Sequence, residues 1–267
     1  MVVKMIDKKE FLLQSIIKAY IEHLEPIGST QLKSMYDITY SPATIRGYFK
    51  KLGEEGYLAQ EHISSGRTPT TEALKQYWQT KLNFKLKGIN LRALEYFASN
   101  IGLSVFIKKE KSDVLKDIIN VENKYMILEF SSFAISVKYS DALYRFLNDM
   151  IGLDLKDITK VSKDVGAYEV YESINQTLQN SDFQIFNYKE FLTLALNYDL
   201  DEYTINSFLK GQILDELKEG LYFDKLLPSN YIGICNYCKI NNEDVKMLVI
   251  GELPKDYEYF YEKITTF

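Results

Sequence analysis

Residues 41–70 read SPATIRGYFKKLGEEGYLAQEHISSGRTPT, and this stretch decides how the first third of the chain folds. Ser41 is a preferred N-cap, and Pro42 suits the first helical position, where its missing N–H costs nothing and its φ is already set. Ile45, Phe49 and Leu52 recur at i, i+4 and i+7, so one face is apolar and packs inward. Thr44, Arg46, Tyr48, Lys50 and Lys51 are left facing outward, with the first turns placed as a recognition helix places them in a major groove. Glu54-Glu55-Gly56 ends the helix on a residue suited to left-handed backbone. Residues 57–63 can form a strand, Ser64-Ser65-Gly66 a turn, and Arg67-Thr68 the return strand before Pro69 ends it. A basic residue at the tip of such a hairpin is placed to touch phosphate or the minor groove.

The upstream segments supply the rest of a module. Residues 10–24 are amphipathic at helical spacing, with Phe11, Leu12, Ile16, Ala19 and Tyr20 on one side. Pro26-Ile27-Gly28 breaks that helix, Ser29 can cap a short helix over 30–35, and Tyr36-Asp37-Ile38 turns the chain into the next. Helix, short helix, turn, helix and hairpin together form a winged helix-turn-helix. The candidate DNA-contacting residues are Ser41, Thr44, Arg46, Tyr48, Lys50 and Lys51 on the helix, with Ser65, Arg67 and Thr68 on the wing. The chain has four arginines, Arg46, Arg67, Arg92 and Arg145, among 32 basic residues. Two of the four fall here, where bidentate guanine contact or entry into a narrow minor groove requires a guanidinium.

Four motifs identify a family. EPIGS at 25–29, SPATIR at 41–46, EEGYL at 54–58 and SSGRTPT at 64–70 resemble, in order and spacing, the heat-inducible transcription repressor HrcA family over roughly the first 80 residues. Gly47 and Phe49 stand where the family usually carries a polar residue and a Met. More faintly, LNDMIGLDLKDI at 147–158 and MLVIGELPKDYEYFYEKI at 247–264 are similar in register to family segments. The resemblance implies a GAF-like second domain interrupted by an inserted dimerisation segment, reduced here to roughly 141–182 because the chain is shorter than most members. It also implies a homodimer on the inverted-repeat CIRCE operator upstream of chaperone operons, with a GroEL-type chaperonin supporting the active repressor until heat occupies it with unfolded clients.

Composition sets the bounds. The 267 residues, 46% hydrophobic and 14% aromatic, are enough for two domains, read as 1–83 and 84–267. Net charge is −5 overall, with eleven basic against nine acidic residues up to position 81 and an acidic remainder. That pattern fits a local nucleic-acid footprint on an otherwise acidic protein. No run approaches eighteen apolar residues, the N-terminal residues lack the apolar core of a signal peptide, and two cysteines fit a reducing cytoplasm.

Beyond an apparent helix over 71–82 and a Lys-rich linker over 81–88, residues 89–119 read as mostly helical, with a possible strand over 102–107. Strands are expected at 124–130, 133–139, 183–188, 231–240 and 245–250, the last two joined by an Asn241-Asn242 turn. Helices are expected at 143–150, 168–178, 257–264 and within 191–221. This mixture without regular alternation is an α+β domain with a largely antiparallel sheet.

Catalytic chemistry finds little support. Cys235-Asn-Tyr-Cys238 has redox or half-zinc spacing, but it lies in an expected strand and has no second pair or nearby His. Asp199, Asp201 and Glu202 read as a solvated face, and Tyr257, Tyr259, Phe260 and Tyr261 as core or interface. The expectation is a non-enzymatic, cytoplasmic, homodimeric repressor that needs neither cofactor nor metal. The alternatives are a winged-helix regulator whose GAF-like domain senses a small molecule, and an enzyme fused to a winged helix.

Overall fold

A computed structural model describes residues 8–62, 65–82, 88–109, 113–179 and 183–266 as a mixed α+β protein. Two compact units divide it. One comprises residues 1–107, 184–242 and 246–267; the other comprises 108–183 and 243–245.

The first unit begins with α1 (Lys8–His23), α2 (Ser29–Met35) and α3 (Pro42–Glu54), followed by the two-residue strands β1 (Leu58–Ala59) and β2 (Thr68–Pro69) and by α4 (Thr71–Lys81). The buried side of α1 is Leu12, Leu13, Ile16, Ile17, Ala19 and Ile21, which meets Leu32 of α2 and Ile45, Phe49 and Leu52 of α3 in the core. Phe11, expected on that side, is 40% exposed, because the seam follows Leu12, Ile16 and Ala19. Asp37, at φ 48°, makes the sharp turn between α2 and α3. Ser29 is the first residue of α2 and not its cap; Gly28 occupies the cap, its N–H donating to Gln31 Oε1 at 3.3 Å.

Of the expected strand over 57–63, only Leu58 and Ala59 form β1 among the described residues, and residue 63 lies outside them. Beyond Ala59 the chain leaves the ladder and closes on itself through Ser65, whose Oγ donates to the His62 carbonyl at 2.7 Å and accepts the His62 N–H at 3.1 Å. Pro69, expected to end the return strand, belongs to β2 opposite Leu58. Arg67 instead pairs with Ile27, each N–H donating to the other's carbonyl at 2.9 Å. EPIGS and SSGRTPT are therefore joined by an isolated two-hydrogen-bond bridge. Gly66 is fixed by that pairing, since a Cβ there would lie 2.6 Å from the backbone of Pro26 and Ile27. Thr70 then joins the pieces. Its Oγ1 donates to the Gly56 carbonyl at 2.8 Å and accepts the Ala73 N–H at 3.2 Å, so the left-handed Gly56 (φ 82°) and the start of α4 share one hydroxyl.

Residues 83–87 of the expected linker lie outside the described residues. After them come β3 (Gly88–Ile89), α5 (Leu91–Ile101) and β4 (Ser104–Lys109). Of the region 89–119 read as mostly helical, the helix stops at the left-handed Gly102 (φ 76°), which caps α5, and the possible strand over 102–107 is present as β4.

The second unit holds an antiparallel sheet of β5 (Leu115–Val121), β6 (Tyr125–Phe130) and β7 (Ala134–Lys138), covered by α6 (Asp141–Asn148), α7 (Leu155–Asp164) and α8 (Tyr168–Gln179). β5 was expected to be helical. It pairs along β6 with a register shift between Leu115 and Asp117 that puts Leu115 and Ile118 in the core and leaves Ile119 and Val121 exposed. That irregularity hides the alternation from a sequence reading. α7 was not anticipated either. The unit encloses the 141–182 segment expected as an insertion and adds the sheet to it.

The rest of the chain returns to the first unit with β8 (Phe183–Phe186), α9 (Tyr188–Asn197), α10 (Glu202–Leu209), α11 (Ile213–Glu216), β9 (Gly220–Tyr222), β10 (Tyr231–Ile240), β11 (Glu243–Glu252), α12 (Tyr257–Ile264) and β12 (Thr265–Thr266). The sheet order is β12-β3-β10-β11-β4-β8, with β9 also on β10. Asn241 and Asn242, at φ 50° and 68°, make the tight turn between β10 and β11 as expected. Phe106, Phe191 and Phe208 pack ring against ring beneath this sheet.

Helix α4 belongs to both ends of the first unit. Trp78 is fully buried, donates its indole N–H to the Leu253 carbonyl at 2.7 Å and packs edge-on against Tyr257 at 5.1 Å. Tyr77 donates to Glu258 at 3.0 Å, and Lys75 pairs with Asp224 at 2.6 Å. Trp78→Phe removes the donor and leaves a buried carbonyl unpaired, so chemical denaturation should show a loss of about 2–4 kcal/mol. An unchanged midpoint would contradict that role. Gly66→Ala should cost about 1–3 kcal/mol, since the new methyl meets backbone that cannot swing aside.

Candidate nucleic-acid interface

The outward side of α3 is built by its own cap and its inward seam. Ser41 Oγ accepts the Thr44 N–H at 3.1 Å and lies 2.9 Å from Thr44 Oγ1, satisfying an orphan donor of the first turn. With Ile45, Phe49 and Leu52 buried, Ala43, Thr44, Arg46, Gly47, Lys50 and Lys51 are exposed, and Tyr48 is half-buried between the two sides.

Three cations share this surface, held with different firmness. Arg46 Nη1 donates to Ser29 Oγ at 3.4 Å, so a residue of EPIGS steadies the guanidinium of SPATIR. The Lys51 ammonium lies 5.9 Å from the centre of the Tyr48 ring. Lys50 reaches Glu54 at 3.9 Å one turn on, with both side chains largely in water, so that pair contributes little. At the far end of the helix Glu55 is held by Lys9 of α1 at 2.7 Å, which anchors the helix end to the core side.

The hairpin residues divide by role. Ser65 spends its hydroxyl closing the loop on His62. Arg67 and Thr68 are half-buried, with the Arg67 backbone locked to Ile27. Six of the nine expected contact residues thus lie on or cap one helix, and three lie in the hairpin that follows it. Sequence reasoning missed Ser29 as a partner of Arg46; the only signal was its place in a four-motif set.

Other candidates fall away on geometry. Cys235 and Cys238 are both buried in β10, where burial pushes their thiols up to about 11 and about 12. Such thiols stay protonated and pack as small apolar groups. Asp201 caps α10 by accepting the Thr204 N–H and hydroxyl. Tyr257 and Phe260 are core, while Tyr259 is exposed. Among the described residues no group of three or more His, Cys, Asp or Glu could hold a metal ion, and no helix is long and apolar enough to cross a membrane.

Comparison with known proteins places the whole chain. The HrcA C-terminal domain model matches residues 78–267, from Trp78 onward. The heat-inducible transcription repressor HrcA of Helicobacter pylori J99 is 31% identical over 264 residues, covering 97% of this chain and 95% of that one. The chain belongs to the HrcA family of heat-inducible transcription repressors. The HrcA of Mycoplasma capricolum is 27% identical over 311 aligned positions, covering 91% of this chain and 88% of its own.

The cap geometry carries a testable consequence. Ser41→Ala should lower stability by about 0.5–2 kcal/mol in a thermal or urea melt, and Ser41→Asp should recover most of it, because the lost acceptor is restored. If alanine melts like the wild type, the hydroxyl is not serving as a cap.

Proposed function

We propose that residues 1–83 form a winged helix-turn-helix that reads double-stranded DNA, and that the remaining sheet and helices form a GAF-like regulatory and dimerisation domain. The chain acts in the cytoplasm as a homodimeric repressor of chaperone operons. It binds the inverted-repeat CIRCE operator with one half-site per subunit, as a two-fold dimer requires. The resemblance adds that a GroEL-type chaperonin supports the active form and that heat relieves repression. No catalytic step and no cofactor enter this reading.

The observation that carries it is the outward face of α3. An N-capped helix with a buried seam presents Thr44, Arg46, Tyr48, Lys50 and Lys51 on its other sides, and a short hairpin bearing Ser65, Arg67 and Thr68 follows it. Ser41 serves as the cap, and its residual contact is to phosphate near the helix N-terminus, where free N–H groups favour anions. Arg46 reads a base edge; Lys50 and Lys51 neutralise phosphate; Arg67 reaches backbone or minor groove from the wing.

Binding assays at several salt concentrations separate these roles. Arg46→Ala should cost about 1–3 kcal/mol of specific binding and relax preference at one base pair. Lys50→Ala or Lys51→Ala should weaken all sequences alike and reduce the slope of log affinity against log salt by about one. Full operator affinity in Arg46→Ala would remove that residue from the reading.

A further inference from the structure

Ser29 is the first residue of α2, and that helix makes no use of its hydroxyl. Gly28 holds the cap position, and the Gln31 side chain takes the Gly28 N–H. Ser29 is buried, at 9% exposure. Among the described residues its Oγ has one hydrogen-bond partner, Nη1 of Arg46 at 3.4 Å, 17 positions along the chain.

Arg46 is exposed and forms no ion pair among the described residues. Two nearby cations are handled differently: Lys50 reaches Glu54, and Lys9 holds Glu55. The guanidinium rests instead on a neutral oxygen, which directs it without cancelling its charge. A carboxylate in that place would hold it more strongly and would also neutralise it towards phosphate. The contact leaves Nε and Nη2 uncommitted, a complete two-donor edge of the kind that bidentate contact with guanine O6 and N7 requires.

We propose that Ser29 is a positioning residue of the DNA-reading surface, a neutral brace that holds the Arg46 guanidinium ready for one base edge. This deepens the DNA-reading proposal and rests on it. A long arginine side chain gives up rotamer freedom when it docks on a base, and a brace that restricts it beforehand lowers that cost. The gain appears at a base edge, where hydrogen-bond geometry is exacting. It is small at phosphate, whose oxygens accept a cation from many directions. Removing the brace therefore lowers sequence discrimination and spares general affinity.

The test uses the full-length chain as wild type, Ser29→Ala, Ser29→Asp, Arg46→Ala and the double variant Ser29→Ala/Arg46→Ala. Each is titrated against a duplex carrying the CIRCE inverted repeat and a scrambled duplex of equal length and composition. Ser29→Ala should lose about threefold to tenfold in affinity for the repeat, and less than about twofold for the scrambled duplex. In the Arg46→Ala background the same substitution should change neither affinity by more than about twofold, since the group it positions is gone. Ser29→Asp supplies a stronger acceptor, so a purely structural contact predicts binding at least as tight as wild type. Neutralisation of Arg46 predicts the reverse, a repeat affinity below that of Ser29→Ala. The inference is overturned if Ser29→Ala discriminates as the wild type does, or loses both duplexes equally as a general loosening of the fold would make it. It is overturned too if the loss persists in full without Arg46, or if Ser29→Asp binds the repeat no more weakly than Ser29→Ala. A wild-type chain that fails to discriminate the two duplexes sinks the DNA-reading proposal and this inference together. A discriminating wild type, with preference lost in Arg46→Ala and kept in Ser29→Ala, sinks this inference alone.

Discussion

One buried indole holds the first unit together. Trp78 donates to the Leu253 carbonyl and stands edge-on to Tyr257, while eight residues earlier Thr70 caps the same helix and bonds the end of α3's turn at Gly56. Helix α4 is thereby a shared wall: its start is fixed by the hairpin and its middle by the sheet. A carbonyl buried this deeply costs about 1–3 kcal/mol when unpaired, so the donor is a strong geometric constraint. Tyr77 to Glu258 and Lys75 to Asp224 prevent rotation about that point. Through α4 the packing around Leu253 and Tyr257 is thus contiguous with the hairpin within one compact unit.

The same logic of distant partners runs through the N-terminal motifs. Ile27 and Arg67 share two backbone hydrogen bonds, Gly66 is pressed against Pro26, and Ser29 accepts from Arg46. EPIGS, SPATIR and SSGRTPT are far apart along the chain and adjacent in the fold. Their joint appearance in one sequence is matched by direct contacts between them in the fold.

What was legible in the sequence was local. The Ser41 cap, the Ile45–Phe49–Leu52 seam, the left-handed Gly56 and the Asn241-Asn242 turn each depend on a few neighbouring residues, and each is present in the structure. What was not legible depended on tertiary partners. Leu115 to Val121 became a strand because β6 offers it a ladder, and its irregular register conceals the alternation. Ser29 is the first helical residue, with Gly28 as the cap, and its hydroxyl accepts from Arg46 instead. Phe11 lost its core place because the seam of α1 runs along Leu12, Ile16 and Ala19. For the candidate interface, the exposed side of α3 could be read from its period, whereas the support beneath Arg46 required coordinates.

Amide hydrogen exchange of the full-length chain, with and without a duplex carrying the inverted repeat, tests the central claim most directly. Reading by α3 and the hairpin predicts that added DNA slows exchange within residues 41–62 and 65–70. Exchange in residues 115–138 and 188–209 should stay as it was. Protection that appears in those latter segments while residues 41–62 remain unchanged would contradict the account.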